Sequence, residues 1–112
     1  MYEYKINVHR VVDGDTIDGH IDLGFGIRVF KRIRLTGINA PETRTKNKVE
    51  KIKGIVAKDW LFVKLLNETV ILKTEKDSTG KYGRVLGTLF VNDVNINELM
   101  LDEGLVEKYV DF

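Results

Sequence analysis

The chain has 112 residues, of which 43% are hydrophobic, and this length allows one domain with a single modest core. Its 18 basic and 17 acidic residues give a formal charge of +1, so any contact with nucleic acid must rest on a local patch. The absence of cysteine excludes disulfides, thiolate metal sites and a cysteine nucleophile.

The first third of the chain predicts three strands in a meander. Residues 4–12 and 16–23 alternate apolar and polar side chains, and Asp13-Gly14 between them is typical of a tight turn. Gly24-Phe25-Gly26 predicts a second turn, and residues 27–35 predict the third strand. A shift of the alternation around Phe30-Lys31 indicates a β-bulge in that strand.

The third strand ends at Gly37 and leads into a turn rich in polar side chains. Pro41, the only proline of the chain, stiffens this turn and holds Asn39 in an extended conformation. Arg34, Asn39 and Glu42 provide a cation, an oxygen ligand and a potential base at the end of one strand. This arrangement is more typical of a site than of a simple connection.

A basic loop and a helix are predicted next. Residues 43–48 are polar and basic, and residues 49–66 place apolar side chains at steps of three and four. We expect this apolar stripe to face the core, with Trp60 as a core anchor and not as a platform for base stacking. The stripe consists of Val49, Ile52, Ile55, Val56, Trp60, Phe62, Val63 and Leu66.

The remaining sequence predicts two strands and a short helix. Residues 69–72 and 85–91 are rich in β-formers and flank a polar loop over residues 75–82. A helix over residues 97–103 ends at Gly104, and the sequence pattern does not assign a conformation to the tail at residues 105–112. The predicted fold is α+β and mainly β. It is one OB-fold-like barrel of five strands over residues 1–112, with a helix inserted after the third strand and a short C-terminal helix.

Several common functional signatures are absent. The sequence has no Walker loop, no dinucleotide fingerprint and no nucleophile elbow. Asp13-Gly14-Asp15 resembles the start of an EF-hand loop, but Gly24 stands where the bidentate glutamate is required. Asp18, His20 and Asp22 share one strand face and could bind a transition metal, although a solvated face is the favoured interpretation.

Three motifs in order resemble those of the staphylococcal nuclease (thermonuclease) family. They occupy residues 12–16 (VDGDT), 34–42 and 81–84 (KYGR), and residues 97–105 are similar as well. The resemblance covers nearly the whole chain, and three motifs within one predicted barrel are far more specific than one. It implies a metal-dependent endonuclease that cleaves DNA, with RNA as an open second substrate, shows little sequence preference and leaves a 3′-phosphate end.

The resemblance also implies a calcium site and a general base. Asp15 matches a carboxylate ligand to Ca²⁺, and Ala40 matches a residue whose carbonyl completes the site. Glu42 matches the base that positions or deprotonates the attacking water. Asn39 stands where the family has a second aspartate, so we expect weaker calcium binding or another divalent metal. Ala40 replaces a hydroxyl residue and keeps only its carbonyl as a ligand.

Substrate contacts follow from the same resemblance. Arg34 and Arg84 match the two arginines that bind the scissile phosphate, and Lys81 and Tyr82 match contacts to a neighbouring phosphate and nucleotide. The family supplies a further aromatic contact near Tyr109, and its last helix has no counterpart expected in residues 105–112.

The chemistry of these residue types supports the assignment independently. Hydrolysis of a phosphodiester adds an oxygen to an anionic phosphorus, and a hard dication held by oxygen ligands neutralises that charge. Two arginines can donate to the phosphoryl oxygens, and a carboxylate can accept the proton of water. Taken one at a time, these charges could equally be surface ion pairs worth little to stability.

Basic side chains also follow Glu42. Positive charge at a helix N-terminus opposes the macrodipole, so helix stability does not explain it. The run is either a solvated loop or a non-specific phosphate track beside the site. The second hypothesis assigns substrate binding to Arg44, Lys46 and Lys48.

Two alternatives to an enzyme stay open. One is a non-catalytic OB module that binds single strands or a peptide, and the other is a structural subunit of a larger phage or chromosomal assembly. Two arginines together with Glu42 favour an enzyme, because binding alone requires no base. We expect a monomer in the cell interior, since no apolar signal segment or bilayer-spanning stretch is visible, with secretion after processing left open.

Overall fold

The computed structural model describes residues 2–75 and 85–109, which contain eight strands and two helices. In chain order they are β1 (Glu3–Asp13), β2 (Thr16–Gly24), β3 (Ile27–Leu35), β4 (Ile38–Asn39), α1 (Lys48–Leu65), β5 (Val70–Glu75), β6 (Val85–Val91), β7 (Val94–Asn95), α2 (Ile96–Asp102) and β8 (Glu107–Lys108).

The long strands close into a barrel. They form one sheet in the order β3-β2-β1-β5-β6-β7, in which neighbouring strands are antiparallel. A parallel pairing of β3 with β6, from Ile33↔Val85 to Leu35↔Gly87, joins the two sides of the sheet. The five long strands β1, β2, β3, β5 and β6 therefore enclose the core, which confirms the predicted OB-fold-like barrel.

Alternating apolar side chains fill the barrel. Ile17, Ile33 and Leu72 are fully buried, since every second residue of each strand points inward. Leu61 of α1 and Met100 of α2 are fully buried as well, so both helices pack on this core. Among the described residues, no helix is long and apolar enough to cross a membrane.

Strand β3 is regular, and the predicted bulge at Phe30-Lys31 is wrong. The β2–β3 pairing runs without interruption from Asp22↔Arg28 to Thr16↔Arg34. Phe30 simply lies on the outer face, where its ring contacts those of His9 and His20 at centroid distances of 5.7 and 4.9 Å. The register shifts of this part of the sheet occur in β1, at Val8/Arg10 and Val11/Asp13, and at Asp22/Gly24 near the end of β2.

Helix α1 faces the barrel with a different side from the one predicted. Its buried residues are Gly54, Ala57, Leu61 and Leu65, whereas most of the predicted stripe is exposed. A Cβ on Gly54 would meet the carbonyl oxygens of residues 41 and 42 at 2.7 Å, so the contact is too close for a larger side chain. Trp60 is half-buried and packs against the core from the margin of the helix.

Residues 105–109, whose conformation the sequence pattern leaves unassigned, return to the turn that follows β3. Residues of β8 pair with β4 through Ile38↔Lys108 and Asn39↔Glu107. The amide of Tyr109 donates to the carbonyl of Gly37 at 2.9 Å, and Val106 is buried. The tail thereby closes over the turn that follows β3.

Candidate active site

Two turns at one end of the barrel meet to form the site. Asp15 lies in the tight turn between β1 and β2, and Arg34 is next to last in β3. The pairing of Thr16 with Arg34 brings the two turns side by side, and the amide of Leu35 donates to the carbonyl of Asp15 at 2.8 Å. The sheet register therefore fixes the distance between the two motifs.

Asp15 joins these turns through its side chain. Its Oδ2 accepts a hydrogen bond from the amide of Ala40 at 2.8 Å, and its Oδ1 accepts one from the hydroxyl of Thr16 at 2.9 Å. The residue is only 8% exposed. Its carboxylate is consequently held at one position and orientation beside the 38–42 turn.

Arg34 is fixed by several oxygen acceptors. Its Nη1 donates to the carbonyl of Leu35 at 2.9 Å, and its Nη2 lies 3.4 Å from Oδ1 of Asn39 and 3.5 Å from Oδ2 of Asp15. The guanidinium also lies 5.7 Å from the centroid of the Tyr109 ring, within cation–π range. These contacts place a preorganised cation at the end of β3.

The same geometry shows which ion the site could hold. Side-chain oxygens of Asp15 and Asn39 lie 3.5 and 3.4 Å from Nη2 of Arg34. Ala40, whose carbonyl is the third candidate ligand, follows Asn39 in the sequence, and its amide donates to Asp15. Carboxylate, amide and carbonyl oxygens suit a hard cation such as Ca²⁺, although only one of them carries a formal charge. Across residues 2–75 and 85–109, no three His, Asp or Glu side chains form a metal-binding group.

The histidine-containing alternative on β2 is disfavoured by an ion pair. Asp18 accepts from Nε and Nη2 of Arg32 at 2.8 and 3.1 Å, with Nε of Arg10 at 4.0 Å. The hydrogen bond from Arg32 lowers the pKa of Asp18 below its ordinary value of 3.8, against the opposing effect of burial. This carboxylate serves an arginine pair and is not available as one of several metal ligands.

Glu42 is exposed and follows Pro41 directly. The backbone on either side of it is anchored, because the hydroxyl of Thr43 donates to Oδ1 of Asp13 at 2.7 Å and Gly54 of α1 packs on the carbonyls of residues 41 and 42. The carboxylate opens on a groove of about 580 Å³, lined by residues 39–42, the N-terminal half of α1 and residues 104–107.

Among the predicted substrate-binding residues, Arg44, Lys46 and Lys48 are exposed on the segment that enters α1. Asn47 caps this helix, since its Oδ1 accepts from the amides of residues 49 and 50 at 3.1 Å. Lys81, Tyr82 and Arg84 lie outside the described residues.

Two further residues contact the site, and for one of them, Tyr109, the family resemblance had indicated an aromatic contact nearby. Tyr109 reaches Arg34 only because the tail pairs with β4. Asn97 is buried, with 4% exposed. Its side-chain amide donates to the carbonyls of Thr36 at 2.9 Å and Gly87 at 3.3 Å, so it links the turn after β3 to β6. An asparagine one residue into a helix next to apolar neighbours was the available clue to this role.

Comparison with known proteins gives a consistent result. A family described as staphylococcal nuclease homologue matches residues 32–111. Thermonucleases of Staphylococcus intermedius and Staphylococcus hyicus are each 33% identical to the chain, over 102 and 107 residues that cover 88% and 92% of it. Protein ParB of Escherichia coli is 34% identical over 116 residues that cover 96% of the chain.

The chain spans little more than half the length of these relatives, namely 55% and 58% of the two thermonucleases and 58% of ParB. The family match nevertheless includes 80 of the 112 residues, with the end of β3, the 38–42 turn and both helices among them. The chain belongs to the staphylococcal nuclease homologue family.

Proposed function

We propose that this chain is a metal-dependent endonuclease that hydrolyses phosphodiester bonds of DNA with little sequence preference. RNA is the second substrate class to test. The observation that carries the proposal is the position of Arg34, whose guanidinium lies 3.4 Å from Oδ1 of Asn39 and 3.5 Å from Oδ2 of Asp15. Asn39 also lines the groove that Glu42 lines. Family membership and the names of the thermonuclease relatives support the same activity.

Arg34 is suited to bind the scissile phosphate. A guanidinium has five N–H donors in one plane, and charge accumulates on the phosphoryl oxygens in the transition state. The bonds to Leu35 and Asn39 fix the side chain before substrate arrives, so little reorganisation is needed. We propose that Arg84, the last residue of the 81–84 motif, makes the second contact to this phosphate.

Asp15, Asn39 and the carbonyl of Ala40 would hold the divalent cation. A bound cation would neutralise negative charge on the phosphate and orient it for attack. Asp15 is the part of this set whose position is most strongly fixed, because both carboxylate oxygens accept hydrogen bonds. We propose Ca²⁺ as the preferred ion, with affinity reduced by the neutral side chain of Asn39.

Glu42 would act as the general base. Its exposed carboxylate lies next to the proposed cation ligands in sequence and opens on the groove. There it can accept a proton from the attacking water while Arg34 binds the phosphate. Arg44, Lys46, Lys48, Lys81 and Tyr82 would bind the flanking nucleic acid, mainly through its phosphates.

Cleavage of plasmid DNA by the purified chain tests the proposal. We expect activity with Ca²⁺, none with excess chelator, and a fall of at least about a hundredfold in kcat for Glu42→Gln with unchanged binding of an oligonucleotide. Glu98→Gln on α2 is the matched control and should keep parental activity. A Glu42→Gln protein that cuts at the parental rate and stays chelator-sensitive would show that another group activates the water.

A binding module without catalysis is the second candidate. It is favoured by one observation, namely that Asp15 already satisfies both carboxylate oxygens within the protein and Asn39 brings no charge. In that case oligonucleotide binding would persist while cleavage stays at background with Ca²⁺, Mg²⁺ or Mn²⁺. Neutralising Arg44, Lys46 and Lys48 together should weaken binding and reduce its salt dependence under either candidate.

A further inference from the structure

A phenyl ring and two imidazoles cluster on the outer surface of the barrel, away from the candidate active site. Phe30 of β3 lies directly opposite His20 of β2, and His9 comes from β1. The ring centroid of Phe30 lies 4.9 Å from that of His20 and 5.7 Å from that of His9. Phe30 is nevertheless 51% exposed, so its neighbours hold the ring without covering it. We call these three residues the Phe30 cluster.

The Phe30 cluster lies on the same side of the sheet as Arg34. Alternate residues of a strand share one side, and β2 and β3 pair directly across four rows on this side. The rows are Thr16–Arg34, Asp18–Arg32, His20–Phe30 and Asp22–Arg28. Phe30 is therefore about 13 Å from Arg34 along the strand. One strand of a stacked nucleic acid has a phosphate about every 3.4 Å along its axis, so a strand bound at Arg34 has its next few nucleotides near the cluster.

The charges on this face favour a polyanion. Arg28 and Arg32 occupy the rows on either side of Phe30, and both are exposed. Across β1, β2 and β3 the face has four arginines and two carboxylates, which are Arg10, Arg28, Arg32 and Arg34 against Asp18 and Asp22. Arginine side chains bind phosphates, and exposed aromatic rings stack on bases. The two kinds of side chain alternate here along one strand.

We infer that the Phe30 cluster is a stacking platform for an unpaired nucleobase, on a strand whose phosphates contact the flanking arginines. A base presents its face to a protein ring only when it is not stacked inside a duplex, and such stacking tolerates every base. The inference rests on the proposed function and deepens it, because it adds a contact to bases several nucleotides away from the cleaved phosphate. It also gives the exposed ring of Phe30 a role that the core does not.

Stabilisation of the sheet is the alternative role for the cluster. Aromatic side chains in directly opposite positions stabilise a pair of strands, and His20 with Phe30 is such a pair. This role predicts that changes at Phe30 affect thermal unfolding and leave nucleic-acid binding unchanged. The stacking role predicts a loss of affinity for single strands that a second aromatic residue restores.

Fluorescence anisotropy with labelled oligothymidine about 12 nucleotides long, within the usual site size of single-strand binders, measures the binding. Chelator is present and the salt concentration is fixed. Phe30→Leu should raise the Kd for the single strand at least about fivefold, the lower end for loss of one stacked base, and leave the Kd for a duplex of equal length unchanged. Phe30→Tyr should restore the parental Kd, because it keeps the ring. Phe62→Leu on α1, at a phenylalanine with the same exposed fraction of 51%, is the matched control and should bind like the parent.

Two further measurements separate stacking from a change in the fold. An oligonucleotide of abasic sites should bind the parent and Phe30→Leu equally, because it offers phosphates and no bases. The imidazole resonances of His9 and His20 should shift when the parent is titrated with the single strand. Thermal unfolding by circular dichroism checks that each variant is folded.

Four outcomes would overturn the platform. They are a parent that binds no single strand up to about 100 μM, the weak end of non-specific affinity, a parental Kd in Phe30→Leu, an equal loss of duplex affinity in that variant, and a Phe30→Tyr protein that stays weak. Binding without metal is independent of cleavage. An inactive chain whose binding depends on the ring would contradict only the proposed catalysis, and an active chain whose binding does not would contradict only the platform.

Discussion

Replacing Gly54 with alanine tests whether α1 positions the proposed base. A Cβ at this residue would lie 2.7 Å from the carbonyl oxygens of Pro41 and Glu42, where ordinary contact begins at 3.4 Å. The backbone of the site turn must therefore move by about 0.7 Å, the difference between these distances. A displacement approaching 1 Å is enough to reduce turnover by as much as about a hundredfold.

Stability should change much less than activity in the same variant. Alanine in place of a helical glycine contributes about 1 kcal/mol, and overpacking at this contact costs about 1–3 kcal/mol. The net loss of about 1 kcal/mol should lower Tm by roughly 4–8 °C for a domain of this size.

Plasmid cleavage at saturating substrate and thermal unfolding by circular dichroism measure the two effects on Gly54→Ala. We expect kcat to fall between about ten- and a hundredfold in a folded protein. Lys58→Ala, in the same helix and away from the site turn, is the control and should retain parental kcat. Parental turnover in Gly54→Ala with unchanged or raised Tm would refute the idea that this close contact sets the position of Glu42.

Three further predictions concern charged and polar side chains. Arg34→Lys keeps a charge but loses the planar donor set, so cleavage should slow roughly a hundredfold without a change in Tm; full activity would remove Arg34 from the phosphate site. Asn39→Asp adds a charged ligand, so calorimetry should show calcium binding tighter on the order of tenfold, and equal or weaker binding would contradict the ligand assignment. Asp18→Asn should lower Tm near neutral pH, because Arg32 holds the pKa of Asp18 below 3.8 in the folded chain. That stabilisation is lost as the pH falls through the lowered pKa, so the Tm values of parent and variant should converge in acid; a constant difference down to about pH 2, below the usual carboxyl range, would contradict it.

The strands of the barrel were predictable because one physical rule determines them. Ile17, Ile21 and Ile33 alternate with polar residues, and a strand with one face in the core must show this period. The bulge was predicted wrongly because Phe30 is an apolar residue on the exposed face, where it contacts His9 and His20. In the sequence, an exposed apolar residue of this kind cannot be distinguished from a shift in the apolar–polar alternation.

Helix α1 shows why apolar periodicity alone gave the wrong face. The helix was predicted correctly, but the buried side was decided by how closely it approaches the site turn. Gly54 and Ala57 are small enough for that contact, and a Cβ on Gly14 would lie only 2.8 Å from the Cβ of Ala57. Steric fit between distant segments leaves no periodic signal in the sequence. The exposed valines and isoleucines of α1, by contrast, recur at the three- and four-residue steps that are typical of a buried helix face.

The candidate site was predictable in its composition and not in its connections. Motif order identified Asp15, Arg34 and the 38–42 turn as parts of one site. The bond from the amide of Ala40 to Asp15 links residues 25 positions apart, and the contact between Arg34 and Tyr109 depends on a two-residue strand. Pairings this short and this distant in sequence have no local pattern that could reveal them.

The parallel seam between β3 and β6 has a consequence for the stage of folding at which the proposed activity would appear. It joins Ile33 to Val85 and Arg34 to Leu86, residues 52 positions apart, so it requires the closure of a long loop. Contacts of such separation tend to form late and slowly in folding. A nascent or partly folded chain can contain the complete β1–β3 meander and still lack the seam that closes the barrel beside Arg34. The proposed cleavage should then appear only with closure of this seam, after the meander itself has formed.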